Sequence, residues 1–307
     1  QARSMEAAWG EPSFGAKSVG MHATAALRKK IDFPQSGEYA FGLRARGTPV
    51  AGVYPQIALS IDGRPAGSIN MESGEWADDP AFLAHIRMKP VRTLSGVTTV
   101  TVLTKPYPCP GKCVFCPTDV RMPKSYLPDE PGARRALQHQ FDPYAQVASR
   151  IQALTAVGHP TDKIELLILG GTWSSYRKDY QEWFIRRCLD AMNEVDAGSL
   201  QEAQNINENA EHRNVGLVIE TRPDQVNGPE LAWLRRLGVT KVQMGAQSLD
   251  DRILKLNQRG HTAQETLDAV HFLRAAGFKV VLHWMPNLLG ATPEGDPRDS
   301  NTRILGQ

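Results

Sequence analysis

The run Val97-Thr-Thr-Val-Thr-Val-Leu-Thr104 is followed by Lys105-Pro-Tyr-Pro108 and then by Cys109-Pro-Gly-Lys-Cys113-Val-Phe-Cys116-Pro117. The first segment is short and almost wholly β-branched, which reads as a strand. The second carries three thiols within eight residues of loop. Disulfide frameworks spread their cysteines to staple distant loops; a tight triplet with one distant partner, Cys188, points instead to metal ligation in a reducing compartment.

Outward from this stretch the chain repeats strand, loop, helix. Ile164–Leu169 is a continuous apolar run, as a strand covered on both faces should be. Val215–Ile219, Val239–Met244 and Phe278–Trp284 follow as further strands. Between them lie helical patterns over Pro143–Val157, Tyr180–Met192 and Thr262–Ala276; in the last, Leu267, Val270 and Leu273 recur at helical spacing. Gly158, Gly238 and Gly277 stand where helices should stop before the next strand. Five βα units in series predict an α/β fold with a parallel sheet and right-handed crossovers. The count suits a partial (β/α)6 barrel, with its sixth unit missing, better than a closed eight-unit one.

Residues 1–75 have a different texture and are expected to form a separate β-rich region, with 76–307 as the barrel domain. Tyr39, Phe41 and Leu43 alternate with small or polar residues. Ile57, Leu59 and Ile61 alternate again and run into Asp62-Gly63, a hairpin turn signal. This pattern fits part of a small antiparallel sandwich. Residues 1–30 give no firm assignment.

A loop at the C-terminal end of a barrel strand is where α/β barrels place their chemistry. Three thiolates there can hold three irons of a cubane, although iron–sulfur clusters normally take four cysteines. Cys188 lies on an apolar helical stretch with Trp183, Phe184 and Leu189 and reads as a small buried hydrophobe. The fourth iron of a [4Fe-4S] cluster on Cys109, Cys113 and Cys116 is therefore left open, as a radical S-adenosylmethionine (SAM) enzyme requires. The alternative is a closed zinc site, with His139 as a candidate fourth ligand.

Net charge is only +2, but residues 85–135 hold nine Lys or Arg against three acids, locally +6. Lys124, Arg134 and Arg135 would form a cationic lip beside the cysteine loop, suited to RNA phosphates or to plain solvation. Tyr126 is placed to stack on a base or to pack. Trp173, Trp183 and Trp233 read as packing between helices and sheet. No run of 18 apolar residues crosses a membrane, and no basic leader precedes an apolar stretch, so a cytoplasmic location is expected.

A more specific likeness rests on ordered strings: Lys89-Pro-Val-Arg-Thr-Leu-Ser-Gly-Val97, Leu103–Cys113, Phe141-Asp-Pro-Tyr144, Gly170-Gly-Thr172, Glu220-Thr-Arg-Pro-Asp224, Gly245-Ala-Gln-Ser248, Asn257-Gln-Arg-Gly-His-Thr262 and His283-Trp-Met-Pro286. Over roughly residues 78–295 the chain resembles the bacterial and archaeal form of the catalytic subunit of Elongator. The resemblance implies a SAM-cleaving barrel joined to an acetyltransferase-like domain, acting on tRNA. It implies a 5′-deoxyadenosyl radical that takes hydrogen from acetyl-CoA, and 5-carboxymethyluridine as the wobble-position product. In similar enzymes Gly170, Gly171 and Thr172 meet the SAM amino group. Glu220 and Arg222 end the third strand and would bond SAM or pair across the rim; Gln243 and Gln247 would bond its adenosine part. The resemblance puts Lys163 at an acetyl-CoA contact. The chain stops at Gln307, about where a sixth strand is expected, and the acetyltransferase-like domain is expected to be missing from it. Residues 1–75 do not resemble the family's tRNA-binding region.

Overall fold

The structure is a computed structural model that describes residues 89–117 and 119–296, together with six short strands before them. Contacts divide the chain at Tyr54/Pro55. In the first unit β1 (Glu6–Trp9) pairs antiparallel with β4 (Ala26–Arg28), and β2 (Pro12–Phe14) with β3 (Val19–Met21). The Tyr39–Leu43 alternation lies outside the described residues. In the second unit β5 (Gln56–Ile61) pairs antiparallel with β6 (Arg64–Asn70). Their register matches Ile61 to Arg64, with Asp62-Gly63 between, as the turn signal requires.

The main sheet has five strands: β7 (Thr98–Leu103), β8 (Lys163–Leu169), β9 (Arg213–Thr221), β10 (Lys241–Gln247) and β11 (Lys279–Trp284). Spatial order follows chain order and every pairing is parallel. This is the partial barrel expected from the βα series. Among the described residues seven helices connect or flank the strands: α1 (Pro131–Gln138), α2 (Pro143–Ala156), α3 (Lys178–Asn193), α4 (Leu200–Asn207), α5 (Gly228–Arg236), α6 (Asp251–Leu256) and α7 (Ala263–Ala275). Their starts are capped by side chains where the sequence supplies them. Asp142 accepts from Ala145 N at 2.7 Å, and Thr262 forms a reciprocal capping box with Glu265.

Two apolar clusters hold the layers. In the larger, Val100, Val102, Leu166, Ile168, Leu217 and Ile219 of the strands meet Val147, Leu154, Phe184, Ile185 and Leu234 of the helices. Cys188 belongs to it, fully buried, and burial pushes its thiol pKa well up. In the smaller, Leu103 meets Met122, Ala133 and Ala136, with Tyr126 and Leu169 alongside. This second cluster ties the segment after the cysteine loop to the strand ends.

Two expectations are corrected. The fourth strand begins at Lys241 rather than Val239. Thr240 is used instead as a side-chain clasp, its Oγ1 accepting from Leu217 N at 3.0 Å. Trp173 is buried and Trp233 packs at the core's edge, but Trp183 is 38% exposed on α3, tilted against Tyr180. Leu166 has no exposed surface and sits mid-strand in the larger cluster. Leu166→Ala should therefore lower unfolding free energy by about 2–5 kcal/mol, read as a lower urea midpoint with an unchanged slope; a loss below about 0.5 kcal/mol would contradict this packing.

Candidate active site

Parallel strands direct all five carboxyl ends to one rim, and the loops there bring the candidate residues together. Gly170 follows β8 with φ of 142°, and a Cβ there would run into the Thr104 side chain. Only glycine fits such a backbone and such an approach. The Tyr176 hydroxyl closes the same corner. It lies 2.7 Å from Thr104 Oγ1 and donates to the Lys105 carbonyl at 2.8 Å. Thr172 is buried, and its Oγ1 stands 3.4 Å from Cys109 Sγ. The Gly-Gly-Thr turn and the cysteine loop are thus joined directly.

Each of the three loop thiols is half-buried and has a donor group beside it. Gly111 N–H donates to Cys109 Sγ at 3.4 Å, and Ser125 Oγ lies 3.4 Å from Cys116 Sγ. Cys113 Sγ accepts from Arg259 Nη1 at 3.3 Å and from Arg222 Nη1 at 3.9 Å. A Cβ at Gly111 would strike the Arg222 guanidinium, so a side chain there would force that guanidinium to shift. Arg222 also pairs with Asp224 at 2.8 Å. Its guanidinium therefore serves the rim ion pair and the sulfur together.

Glu220 lies beside Gln243 in register, near the end of β9. It accepts from Tyr126 Oη at 2.7 Å, and His283 Nδ1 is 3.9 Å away. Burial pushes its pKa up to about 7, against the Tyr126 and Gly170 hydrogen bonds, which lower it. Burial and the neighbouring carboxylate raise the Tyr126 pKa in turn. Tyr126 is therefore engaged through its hydroxyl. Gln243 is tied to His283 Nε2 at 2.9 Å, whereas the buried Oε1 of Gln247 has no partner. Gln247 has φ of 70° at an irregularity in the β10–β11 pairing, which skips Ala246 and leaves Gln247 paired with Trp284.

The other candidates are spread more widely. Lys124 is half-buried, its backbone against Gly171; Arg134 is exposed and Arg135 partly covered on α1. Lys163 is exposed and paired with Asp162 at the opposite end of β8, about 20 Å along the strand from Gly170. His139 caps α1 and lies 2.9 Å from Ser149 Oγ rather than beside the cysteines. Sequence reasoning assigned no role to Arg259 or His261, although both lie in the quoted Asn257–Thr262 string. His261 is buried with neither ring nitrogen in a well-formed hydrogen bond.

This fold and thiol-bearing strand-end loop define the core of a radical SAM enzyme. Residues 107–295 match the Radical SAM superfamily, and the chain belongs to it. Within it, the chain is 47% identical over 242 residues to the tRNA uridine(34) acetyltransferase of Methanocaldococcus jannaschii, covering 77% of this chain and 45% of that one. It is 34% identical over 227 residues to Elongator complex protein 3 of Danio rerio, covering 70% and 41%. A solved structure of archaeal Methanocaldococcus infernus Elp3 with an N-terminal deletion superposes with a TM-score of 0.56 at 43% identity, over 66% of this chain and 41% of that one. The chain thus spans less than half the length of these relatives.

Superfamily membership implies SAM and a [4Fe-4S] cluster. The donor set fits: three half-buried thiols on one loop, each beside an N–H or O–H group that stabilises thiolate or sulfide. Among the described residues no three His, Cys, Asp or Glu side chains are set to hold a single metal ion. A cubane places its ligands on three different irons and needs a wider span than one ion does.

Two outcomes follow. Replacing Cys109, Cys113 or Cys116 by Ala should abolish iron and sulfide loading, while Cys188→Ala should leave both unchanged; loss in the Cys188 variant alone would overturn the ligand set. Glu220 holds its proton more tightly folded than unfolded, 7 against the usual 4.5. Its contribution is complete below about 4.5 and lost as pH rises through 7. The apo-protein's stability should fall over that window, and Glu220→Gln should fall less steeply in melts taken at successive pH values.

Proposed function

We propose that this chain supplies the SAM-cleaving core of an enzyme that modifies the wobble uridine of tRNA, using acetyl-CoA to build a 5-carboxymethyl group. The observation that carries this reading is the 47% identity, sustained over 242 residues, to a tRNA uridine(34) acetyltransferase. Cys109, Cys113 and Cys116 would hold the cluster, which would supply the electron for reductive cleavage of SAM. The protein's own part is to bind and orient. Gly170 and Gly171 let backbone groups approach the SAM amino group, with Thr172 between them and the cluster loop. Glu220 and Gln247 would serve the remaining polar atoms of SAM. Glu220 is poised near neutrality, so an ammonium beside it would draw it to the carboxylate form. Gln243 is held by His283 and orients rather than reaches.

Arg134, Arg135 and Lys124 form the phosphate-facing lip. Such contacts hold RNA in register without reading its sequence. Lys163 would touch only a remote part of acetyl-CoA, because it stands on the far rim. An iron–sulfur cluster on reduced thiols and a tRNA substrate would suit a cytoplasmic reaction.

The experiment is anaerobic incubation of the cluster-loaded, dithionite-reduced chain with SAM, followed by tRNA binding across salt concentrations. The chain should form 5′-deoxyadenosine and bind tRNA. Arg134→Glu with Arg135→Glu should weaken binding and reduce the logarithmic salt slope by about 2, near one per lost phosphate contact. Deoxyadenosine without any tRNA affinity would favour a small-molecule substrate. A fully loaded cluster that yields no deoxyadenosine would overturn the SAM half of the proposal.

A further inference from the structure

The Asn257-Gln-Arg-Gly-His-Thr262 segment joins α6 to α7, and its geometry gives it a task. Asn257 is buried and bolted in place: Nδ2 donates to the Ile253 and Leu289 carbonyls at 2.8 and 2.9 Å. Its own carbonyl accepts from Val114 N at 3.2 Å, within the cysteine loop. Two residues on, Arg259 is 7% exposed and donates from Nη2 to the Gly245 carbonyl at 2.5 Å. Nη1 is thereby aimed at Cys113 Sγ, 3.3 Å away, while Nε is buried with no partner. Arg222 locks onto the same segment, donating from Nη2 to the Arg259 carbonyl at 2.7 Å.

Two buried guanidiniums therefore converge on one sulfur; Asp224 supplies a carboxylate to Arg222, while Arg259 donates to a carbonyl and to the sulfur. Cationic groups are seldom buried without an anion to receive them. Asn257 already anchors the segment to its surroundings, so mechanical attachment does not account for the second charge.

We propose that Arg259, supported by Arg222, is a positioning residue for the iron–sulfur cluster: it orients the Cys113 sulfur and raises the cluster's reduction potential. Reduction makes a cluster more negative. Nearby cations and N–H donors to its sulfurs stabilise the reduced form and move the potential upward. The inference rests on the superfamily assignment and is independent of the tRNA reading.

The test is a redox titration of the reconstituted full chain, followed by the EPR signal of the reduced cluster, with iron and sulfide measured on the same samples. Arg259→Gln should keep its iron, yet at the wild-type midpoint its reduced-to-oxidised ratio should fall roughly tenfold, a midpoint lower by about 59 mV for one electron. Arg259→Lys, which keeps the charge, should fall less. Asp224→Asn should do the opposite, because it removes the carboxylate opposing Arg222 while keeping an oxygen acceptor; its midpoint should rise. This variant decides the matter if Arg259→Gln does not fold or load. A loaded Arg259→Gln with the wild-type midpoint, or an Asp224→Asn midpoint that is unchanged or lower, would overturn the proposal. Failure of the superfamily reading would show separately, as wild-type chain without a cluster signal.

Discussion

Five parallel strands in chain order impose the constraint on which the site depends. Parallel pairing aims every carboxyl end the same way, so the loops that follow β7, β8, β9 and β10 must meet on one rim. The cysteine loop follows β7 directly in the chain, the Gly-Gly-Thr turn follows β8, and Glu220 and Gln247 stand within the last two positions of β9 and β10. No long-range search is needed to bring them together once the sheet forms. The helices on its outer face bury Val, Ile and Leu from alternate strand positions and leave the other face for polar residues near the rim.

The rim is electrostatically uneven, and that unevenness follows from burial. Glu220 sits in poorly solvated surroundings and leans toward its neutral form. Just past the end of the same strand Arg222, together with Arg259 of the α6–α7 segment, holds positive charge among carbonyls and a sulfur. Burial and these two cations together lower the His261 pKa to about 4, against Asp224 and a weak backbone contact from Ala246. His261 is therefore neutral at physiological pH and adds no charge to the pair. One side of the rim favours a cation and the other an anion. That polarity suits a ligand with an ammonium group beside a cluster carrying thiolates.

Most of this architecture is legible in sequence because its signals are local. Apolar β-branched runs match the strands to within two residues at each end, except β10, which runs on past Met244 to Gln247. Glycines marked the helix stops, and Gly158, Gly238 and Gly277 do take positive φ of 78°, 84° and 79°. Cysteine spacing pointed to the loop before any contact was known. What stayed hidden depends on direction rather than position. Arg222 is visible at a strand end, but nothing in its neighbours shows that its guanidinium turns to Cys113. Arg259 carries no local pattern at all, since its partners lie 14 and 146 residues away in the chain. Tyr126 likewise showed as an aromatic near a basic stretch, while its tie to Glu220 spans 94 residues.

Charge balance links the cysteine loop to cluster loading. Arg222 and Arg259 bring two positive charges and Asp224 one negative, which leaves the pocket behind Cys113 one positive charge in excess. A neutral thiol answers that excess poorly; a thiolate answers it in part, and a thiolate-ligated cluster more fully. Metal binding of this kind returns free energy to folding, because the site's charges are satisfied only when the group is held. The loop is also the place where the sheet offers least support: Val114 and Lys112 are exposed, and among the described residues its backbone tie to the rest of the fold is the bond from Val114 to Asn257. The order of the cysteine loop is thus set less by its own packing than by the arginines behind it and by what its sulfurs hold.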